Sequence, residues 1–542
     1  MAGCQMPNCV PLAVLSTVLC LVSGLPAAAA DWPQWGGGQF RNLVAHEAGL
    51  PATFHPGKKK RDRMGFDPGT SKNVRWMVRL GSENYSCPVV AGGRVYIGTN
   101  DEDLNDERFR PTNGGVLMCL DEQTGDLVWR LVVPRLEIDR AKVSEDFDDM
   151  NLGICSTATV DGNRVYLVTN RGEVVCLDVA GMANGNDGPF NAEATFSVPE
   201  GAKPVEPGPR DADILWRFDM IRDLPVFPHD AANCSILVVE DQLYVGTANG
   251  VYDGKVVLPK AASLIVLDKQ TGTLLARDDG RVSANVFHGQ WSSPTLADVK
   301  GRRQVVFGGG DGRCHSFEPL PRDAVAGDTP AMLKETWSFD CNPPGYRERG
   351  GVKIDYWSLV RGGPRTLDAD GMLVSPNEVI GSPVIAGNRI YVGIGQDPVH
   401  GPGRGALSCI AIDGQGDITK SGRIWQYTGI GRALSTVAVA DGLVYAAEYA
   451  GKVHCLDAAT GRLHWVHDTR EEIWSSTFVA DGKLWIGTRK SLVVLATGPE
   501  RKVLAEIKLG TPVWSIPCTA NKTLFVASQR NLWAVEDQGE MP

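Results

Sequence analysis

Residues 434–465 contain the pattern that decides the fold: LSTVAVADGLVYAAEYAGKVHCLDAATGRLHW. A short apolar strand leads into an Asp-Gly turn, and the next strand carries Tyr445 near its middle. Asp and Gly tolerate the positive φ that tight hairpins need, so two antiparallel strands are predicted here. A third strand, KVHCLD, runs into a Thr-Gly turn, and Trp465 marks a fourth strand. The stretch therefore predicts a four-stranded antiparallel sheet.

The same hairpin phrase occurs eight times along the chain. The phrases are CPVVAGGRVYIGT (87–99), CSTATVDGNRVYLVT (155–169), CSILVVEDQLYVGT (234–247), SSPTLADVKGRRQVVFGG (292–309), GSPVIAGNRIYVG (381–393), LSTVAVADGLVYAAE (434–448), SSTFVADGKLWIGT (475–488) and IPCTANKTLFVAS (516–528). Their marker aromatics are Tyr96, Tyr166, Tyr244, Phe307, Tyr391, Tyr445, Trp485 and Phe525. The seven intervals average about 61 residues. Self-similarity at a regular spacing indicates a repeat architecture.

Each hairpin is followed by a third strand and, in most repeats, by a fourth strand centred on tryptophan. The fourth-strand tryptophans are Trp129, Trp216, Trp337, Trp425 and Trp465, and the third repeat has Ala276 there. The linkers before three of these positions read DEQTGDLVW (121–129), DKQTGTLLA (268–276) and DAATGRLHW (457–465). Four strands per radially repeated unit describe a propeller blade, so the predicted fold is an all-β, eight-bladed β-propeller of four-stranded antiparallel blades.

The last repeat ends after its third strand, at residues 531–536. Near the start of the chain, NVRWMVRL (73–80) carries Trp76 in the pattern of the other fourth strands. We expect this N-terminal strand to complete the last blade, because closing the ring leaves no unpaired blade edge. The predicted organisation is an N-terminal arm at 31–72, a propeller at 73–536 and a C-terminal tail at 537–542.

Composition excludes several classes of protein. The chain has 542 residues, 43% hydrophobic and 22% charged, which is ample for a large core and excludes collagen-like, disordered and coiled-coil classes. The formal net charge is −10 at pH 7. A nucleic-acid binder would show a basic stripe, and the short cluster at 58–61 is followed at once by Asp62. No nucleic-acid partner is predicted.

Residues 1–30 resemble a signal peptide. An apolar run at 10–25 ends in LPAAAA before Asp31, a small-residue pattern suited to cleavage after Ala30. The run is too short for a confident membrane span, so an exported, periplasmic or secreted chain without a transmembrane segment is expected. The ten cysteines after Ala30 include no CxxC, which argues against a zinc ribbon, and repeat positions such as Cys119 suggest buried free thiols. A Cys155–Cys234 bridge stays open.

Blade topology predicts where a site would lie. All eight turns between first and second strands are minimal, whereas long loops at 100–114, 134–154, 340–381 and 395–404 fall on the opposite face. Function tends to sit on elaborated loops held by a rigid scaffold. We therefore expect any site to lie in the axial funnel at the elaborated face.

The segments that lead into each first strand line this funnel with polar and aromatic residues. They supply Glu83, Asn84, Asp149, Asn151, His229, Asp230, Asn233, His288, Gln290, Trp291, Asn377, Glu378, Arg432, Glu471, Glu472, Trp474 and Trp514. Carboxylates and amides could chelate a hard cation such as Ca²⁺, Arg432 could bind an anion, and a tryptophan could stack on a flat ring. Alternatively these side chains satisfy strand ends and pack the channel. His229 and His288 lack HxH or HxxxH spacing, which argues against zinc chemistry.

The TG-x₃-W phrase resembles the tryptophan-docking motif of quinoprotein (PQQ) alcohol dehydrogenase-like propellers, and DWPQWG (31–36) resembles their first segment. Longer phrases resemble exported PQQ-binding-like propeller repeat proteins of planctomycete-type bacteria. These phrases are EDFDDMNLGICST (145–157), VVCLDVAGMANGNDGPF (174–190), FPHDAANCS (227–235), FHGQWSSP (287–294), FDCNPP (339–344) and GQDPVHGPG (395–403). The resemblance covers nearly all of the chain after residue 30.

In quinoprotein dehydrogenases PQQ sits on Ca²⁺ or a lanthanide, and an aspartate acts as general base. The resemblance implies Asp230 as that catalytic base and Asn151 or Asn233 as a metal ligand. The remaining cofactor-binding candidates are His288, Gln290, Trp291, Arg432 and Trp474. The dehydrogenases also carry two adjacent cysteines over PQQ, and this chain has no Cys-Cys pair.

Two functions follow from these observations. The first is an exported platform that binds a protein, glycan or small-molecule ligand through the funnel. The alternative is a PQQ-dependent dehydrogenase that oxidises an alcohol or sugar with Ca²⁺ or a lanthanide. A hydrolase or lyase that uses the funnel carboxylates is a third possibility. The sequence leaves the metal unassigned.

Overall fold

The computed structural model describes residues 1, 3, 31–60, 65–299, 301–349, 351–354, 377–401 and 403–539. The expected signal peptide lies outside these residues except for Met1 and Gly3, as do much of the 340–381 loop and the last three residues of the tail. None of the helices in the described part of the chain is long and apolar enough to span a membrane.

Eight four-stranded antiparallel sheets form the blades. In seven of them the strands follow chain order from the axis outward, and in the eighth the N-terminal strand Val74–Arg79 lies outermost. Blades 1 to 4 consist of Val89–Ala91, Arg94–Asn100, Gly115–Asp121 and Leu127–Val133; Thr159–Asp161, Arg164–Val168, Glu173–Asp178 and Ile214–Asp219; Leu237–Val239, Gln242–Gly246, Leu264–Asp268 and Leu274–Arg277; and Thr295–Val299, Arg302–Gly308, Arg313–Phe317 and Glu335–Asp340. Blades 5 to 8 consist of Val384–Ala386, Arg389–Ile394, Ala406–Ala411 and Arg423–Tyr427; Ala438–Ala440, Leu443–Ala447, Lys452–Asp457 and Leu463–Asp468; Phe478–Ala480, Lys483–Gly487, Leu492–Ala496 and Val503–Ile507; and Cys518–Ala520, Thr523–Ala527, Asn531–Val535 and Val74–Arg79. The predicted eight-bladed propeller is confirmed.

Shorter elements decorate this frame. Two-residue parallel strands add a fifth strand to three blades: Ala331–Met332 to blade 3, Gly416–Asp417 to blade 4 and Val44–Ala45 to blade 7. Three small ribbons pair Lys58–Lys59 with Phe66–Asp67, Val251–Tyr252 with Lys255–Val256, and Glu348–Arg349 with Val352–Lys353. The short helices are Glu193–Phe196 and Met220–Asp223 (α), and Pro68–Thr70, Arg140–Lys142, Gly181–Asn184, Ser283–Asn285 and Pro398–His400 (3₁₀).

The marker residues of a repeat line up across its blade. Tyr445 of the second strand pairs with Cys455 of the third, and Cys455 pairs with Trp465 of the fourth. Blades 1, 2 and 5 repeat this Tyr-Cys-Trp row. Because cross-strand neighbours are the unit of sheet stabilisation, the recurrence of these residues reflects packing. All ten described cysteines are buried free thiols, so the Cys155–Cys234 bridge is absent.

Most fourth-strand tryptophans dock on the blade that follows them, whereas the indole N–H of Trp337 donates to Gln304 of its own blade. The indole N–H of Trp425 donates to the carbonyl of Ala458 at 3.1 Å, and its ring lies against Gly461 of the Thr-Gly turn. The same pairing joins Trp76 to Glu122 and Gly125, and Trp216 to Lys269 and Gly272. The Thr-Gly phrase and the tryptophan are therefore two halves of one contact between neighbouring blades.

The N-terminal strand closes the ring as expected. Val74–Arg79 pairs antiparallel with Asn531–Val535, and Trp76 lies opposite Ala534. Arg75 also forms an ion pair with Glu536 at the end of the chain. The last blade is thus assembled from both ends of the polypeptide, and each of the eight blades has its full set of four strands.

The segment at 31–47 crosses the face that carries the short first-to-second turns. It bonds to blades 1 to 8 in order, through Val90, Val160, Val238, Leu296, Ile385, Val439, Val479 and Lys522. Arg41 is fully buried and donates to the carbonyls of Trp35, Ser235, Ile236 and Pro294. This arm fills the axial channel at the plain face.

Candidate functional site

An axial cavity of about 580 Å³ opens toward the elaborated face. The segments that lead into the first strands supply at least one lining residue from every blade: Tyr85, Cys155, Asn233, Trp291, Ile380, Leu434, Trp474 and Trp514. Trp35 of the N-terminal arm lies at the opposite end of the cavity. Pockets of roughly 300–1,000 Å³ hold small molecules, so the cavity has the size of a ligand site.

A belt of hydroxyls encircles the cavity where the first strands begin. We call Thr157, Ser293, Ser382, Thr436 and Ser476 the hydroxyl belt, because each accepts a hydrogen bond from the preceding blade. The donors are the backbone N–H groups of Cys87, Ser235, Ser293, Ser382 and Thr436, at 2.9–3.2 Å. These hydroxyls satisfy backbone groups near the axis, so their first role is structural.

Histidines and an aspartate form a cluster on one wall of the cavity. His229 Nε2 lies 3.2 Å from Asp230 Oδ1, and His288 Nε2 lies 3.4 Å from Asp230 Oδ2. The rings of His229 and His288 meet edge-on with centroids 4.4 Å apart, and His400 packs 4.9 Å from His288. Trp291 covers His288 from another side, with ring centroids 5.2 Å apart.

Three separate loops bring the cluster together. His229 and Asp230 precede the first strand of blade 3, and His288 precedes the first strand of blade 4. His400 ends the short 3₁₀ helix Pro398–His400, which the Asp397 carboxylate caps by accepting from the N–H of Val399 at 2.8 Å. Asp230 itself has φ of 55°, a left-handed conformation that is uncommon outside glycine. Such backbone strain concentrates at functional sites.

Burial controls the electrostatics of the cluster. It lowers the pKa of His229 to about 4 and that of His400 to about 4, so both imidazoles are neutral at pH 7. Burial alone would raise the pKa of Asp230, but the hydrogen bond from His288 and the nearby histidines lower it overall. Asp230 is therefore an ionised carboxylate among imidazoles, which is the electronic state of a metal ligand or a general base.

Two further carboxyl groups, those of Glu378 and Asp397, lie close enough to Asp230 to interact with its charge. Glu378 is fully buried, and neither of its carboxylate oxygens makes a well-formed hydrogen bond to a described residue. Burial and the charge of Asp397 raise the pKa of Glu378 well above its usual value, with a smaller opposing effect from the N–H of Gly289. Burial also raises the pKa of Asp397. Both carboxyl groups are therefore harder to ionise than free carboxyl groups.

The structure separates the residues predicted from sequence into two groups. Asp230, Asn233, His288, Trp291 and Trp474 line the cavity. The other three candidates, Asn151, Gln290 and Arg432, do not belong to its lining. The roles assigned to all eight remain predictions.

Each of these three residues contacts a neighbouring loop or strand. The Gln290 amide donates to the Asn249 carbonyl and to Ser263, so it joins blades 3 and 4. Arg432 donates to the Gly401 carbonyl at 3.1 Å and lies over the Tyr449 ring. Asn151 accepts from Asn100 through its backbone carbonyl.

Sequence reasoning missed His400 and Asp397, although both stand in the quoted phrase GQDPVHGPG. Their signal was a histidine and an aspartate on a long loop of the elaborated face. It also missed the proximity of His229 to His288, because 59 positions separate them along the chain and only propeller closure brings them together. The hydroxyl belt had a signal too, since most first strands are preceded by Ser or Thr in phrases such as GSP and SST.

The family model described as "Outer membrane protein assembly factor BamB" (PQQ_2) matches residues 68–181, 105–318 and 415–539, which together are more than half of the chain. No curated protein sequence matches the chain.

Several solved structures are similar to this chain. BamB from Moraxella catarrhalis is 12% identical with a TM-score of 0.49, covering 86% of this chain and 98% of its own. A europium-containing methanol dehydrogenase is 12% identical with a TM-score of 0.45, covering 92% and 89%. The quinohemoprotein alcohol dehydrogenase from Comamonas testosteroni is 16% identical with a TM-score of 0.42, covering 95% and 82%. On the extent of the family-model match, the chain belongs to the PQQ_2 family, described as outer membrane protein assembly factor BamB, within the PQQ-like β-propeller superfamily.

Proposed function

We propose that the protein is a binding propeller that takes a small neutral or cationic molecule into its axial cavity. The observation that carries this proposal is a ligand-sized cavity with Trp35 of the arm at its inner end and aromatic walls. Trp291, Trp474 and Trp514 offer flat faces for stacking, and the Asp230 carboxylate offers a polar anchor. Such a site suits a ligand with one apolar face and a polar edge.

Charge favours this ligand class over PQQ. The described residues that line the cavity include three carboxylates, Asp146, Asp230 and Asp397, and no lysine or arginine. PQQ carries carboxylates of its own, and no cationic side chain among the described lining residues would offset their charge. Arg432, the predicted anion partner, is held by the Gly401 carbonyl and the Tyr449 ring. The residues present therefore do not fit PQQ, and we derive no quinone chemistry for this chain.

Tryptophan fluorescence tests the ligand class. We expect at least one monosaccharide or aromatic amine to change the emission saturably, and Trp474→Ala to weaken that binding about tenfold through lost stacking. Phe40→Ala is the matched control, since Phe40 is an exposed aromatic of the N-terminal arm. Stoichiometric PQQ binding with dye-linked alcohol oxidation would replace this proposal by the dehydrogenase. Failure of every sugar and amine at millimolar concentration would contradict a small-molecule site.

We also propose that the chain is exported and cleaved after Ala30. The apolar leader supports this, and so does the docking of the arm from its first residues. The Asp31 carboxylate accepts from the N–H of Gly92, and Trp32 pairs with Val90. Cleavage at Ala30 would leave these contacts intact. N-terminal sequencing of protein from the periplasm or medium should begin at Asp31, whereas a retained leader in the cytoplasm would contradict export.

A further inference from the structure

The cluster of His229, Asp230 and His288 has the donor set of a transition-metal site. Two imidazoles and one carboxylate are ligands that Zn²⁺ and its neighbours accept. One ligand atom from each of the three residues lies within 4.8 Å of the others. The three residues also line the cavity, so an ion held between them would border its open space.

The spacing of these donors is close to what a tetrahedral ion requires. Zn²⁺ binds nitrogen and oxygen at roughly 2.0–2.2 Å, which puts neighbouring donors about 3.3–3.5 Å apart. The two imidazole-to-carboxylate distances in the cluster are 3.2 and 3.4 Å. The two contacts end on different oxygens of the Asp230 carboxylate, Oδ1 for His229 and Oδ2 for His288.

Burial without hydrogen bonds is the second observation that points to an ion. His229 is 7% exposed, and neither of its ring nitrogens makes a well-formed hydrogen bond to a described residue. The same is true of Nε2 in His400. Buried polar atoms without partners cost free energy, so native proteins satisfy them, and a metal ion would satisfy an imidazole nitrogen here.

His315 shows the alternative that this protein uses elsewhere. It is as buried as His229, but its two ring nitrogens contact Asp311 and Glu335 at 3.2 and 2.7 Å. That imidazole is fully satisfied by carboxylates and has no need of an ion. His229 differs from His315 in that both of its ring nitrogens lack a well-formed hydrogen bond, whereas at the buried His454 this is true of Nε2.

We propose that His229, Asp230 and His288 bind one divalent transition-metal ion of the Zn²⁺ class, with His400 packed against the His288 ring. The open coordination position would face the cavity and take a hydroxyl or amine of the bound molecule. The coordination of the bound molecule by the metal rests on the proposed function. Metal binding itself is inferred from His229, Asp230 and His288 and does not depend on that function.

The experiment uses the full chain after residue 30, purified without a histidine tag and stripped with a chelator. Titration with Zn²⁺ by calorimetry should give one site per chain. Co²⁺ should give the visible absorption of a tetrahedral complex, a readout that needs no cavity ligand. His229→Gln and His288→Gln should each weaken Zn²⁺ binding by more than about 100-fold. This exceeds the usual loss when the removed residue only hydrogen-bonds to a metal ligand.

His46→Gln is the matched control, because His46 is an exposed histidine of the arm. Circular dichroism verifies that each variant folds, and Asp230→Asn provides a third, nearly isosteric test. Absence of Zn²⁺ and Co²⁺ binding at 100-fold molar excess would overturn the proposal, and so would binding that survives His229→Gln with His288→Gln. Zn²⁺ binding in a protein that binds no sugar or amine would uphold the metal site while refuting the proposed function.

Discussion

His315 and His229 are both buried, yet their carboxylate contacts set opposite titration behaviour. Burial alone would lower the pKa of each ring. At His315 the Asp311 and Glu335 carboxylates outweigh burial and raise the pKa to about 9. At His229 burial dominates over the attraction of Asp230 and lowers the pKa to about 4. His315 is therefore a cation that stabilises blade 4, whereas His229 is kept neutral.

The raised pKa of His315 predicts a pH dependence of stability. A histidine whose pKa is about 9 when folded and 6.5 when unfolded stabilises the protein fully below pH 6.5. That contribution is lost as the pH rises from 6.5 through 9, by up to about 3 kcal/mol. We expect urea midpoints to fall between pH 6 and 9.5, and His315→Gln to remove part of this fall. An equal fall in His315→Gln and in the control His464→Gln would contradict the prediction.

Arg41 is the residue that holds the N-terminal arm in the channel. Burial lowers its pKa to about 10, so it remains charged at pH 7 while its donors meet backbone carbonyls. Charged hydrogen bonds contribute roughly 1.5–3 kcal/mol each. Arg41→Met should therefore lower the free energy of unfolding by at least about 3 kcal/mol. Arg462→Met, at an exposed position, should stay within about 0.5 kcal/mol in the same urea titration.

At the scale of elements, the Thr-Gly turn and the preceding blade's tryptophan form the contact between neighbouring blades. Gly461 has φ of 72°, and an added Cβ would lie 2.6 Å from the Trp425 ring. Gly442, in the hairpin turn of the same blade, has φ of 76° and open space around it. An alanine at either position destabilises the fold by about 1–2 kcal/mol, because a residue with a Cβ is strained in the left-handed conformation. Only Gly461→Ala must also displace an indole ring.

We therefore expect Gly461→Ala to be more destabilising than Gly442→Ala by about 1–3 kcal/mol, the usual cost of overpacking. Thermal unfolding of the two variants beside the parent chain measures this difference. Because the backbone conformations match, the comparison isolates the ring contact. Equal melting temperatures for the two variants would show that the Trp425 ring can move aside without loss of stability. The contact would then not be what joins the two blades.

Sequence predicted these elements well because their causes are local. The strands with alternating apolar residues, the Asp-Gly turns and the Thr-Gly phrases each follow from a few adjacent residues. Trp76 likewise identifies the N-terminal strand as the missing fourth strand of the last blade. The candidate site depends on distant segments. His229, His288 and His400 come from three loops, and only the ring closure places them together. The path of the arm, set by Arg41, likewise has no local signature.

At the scale of the whole molecule, ring closure depends on a strand from the other end of the chain. Val74–Arg79 covers the outer edge of blade 8, and Trp76 docks on blade 1 through the Glu122 carbonyl at 2.9 Å. The arm at 31–47 adds bonds to every blade at the plain face. These two segments have separable roles, since the arm fills the channel and the strand removes a sheet edge.

A chain that begins at Gly81 should expose the edge of Asn531–Val535 and self-associate, because an unpaired strand edge pairs with other chains. A synthetic NVRWMVRL peptide (73–80) should restore a monomer by adding the missing strand, with Trp76 reporting its burial by fluorescence. A chain lacking only 31–46 is the matched control: it keeps the closing strand and should remain monomeric, though less stable. Light scattering distinguishes these outcomes. If the chain that begins at Gly81 stayed monomeric with an unchanged melting temperature and ignored the peptide, closure by the N-terminal strand would not hold the ring together.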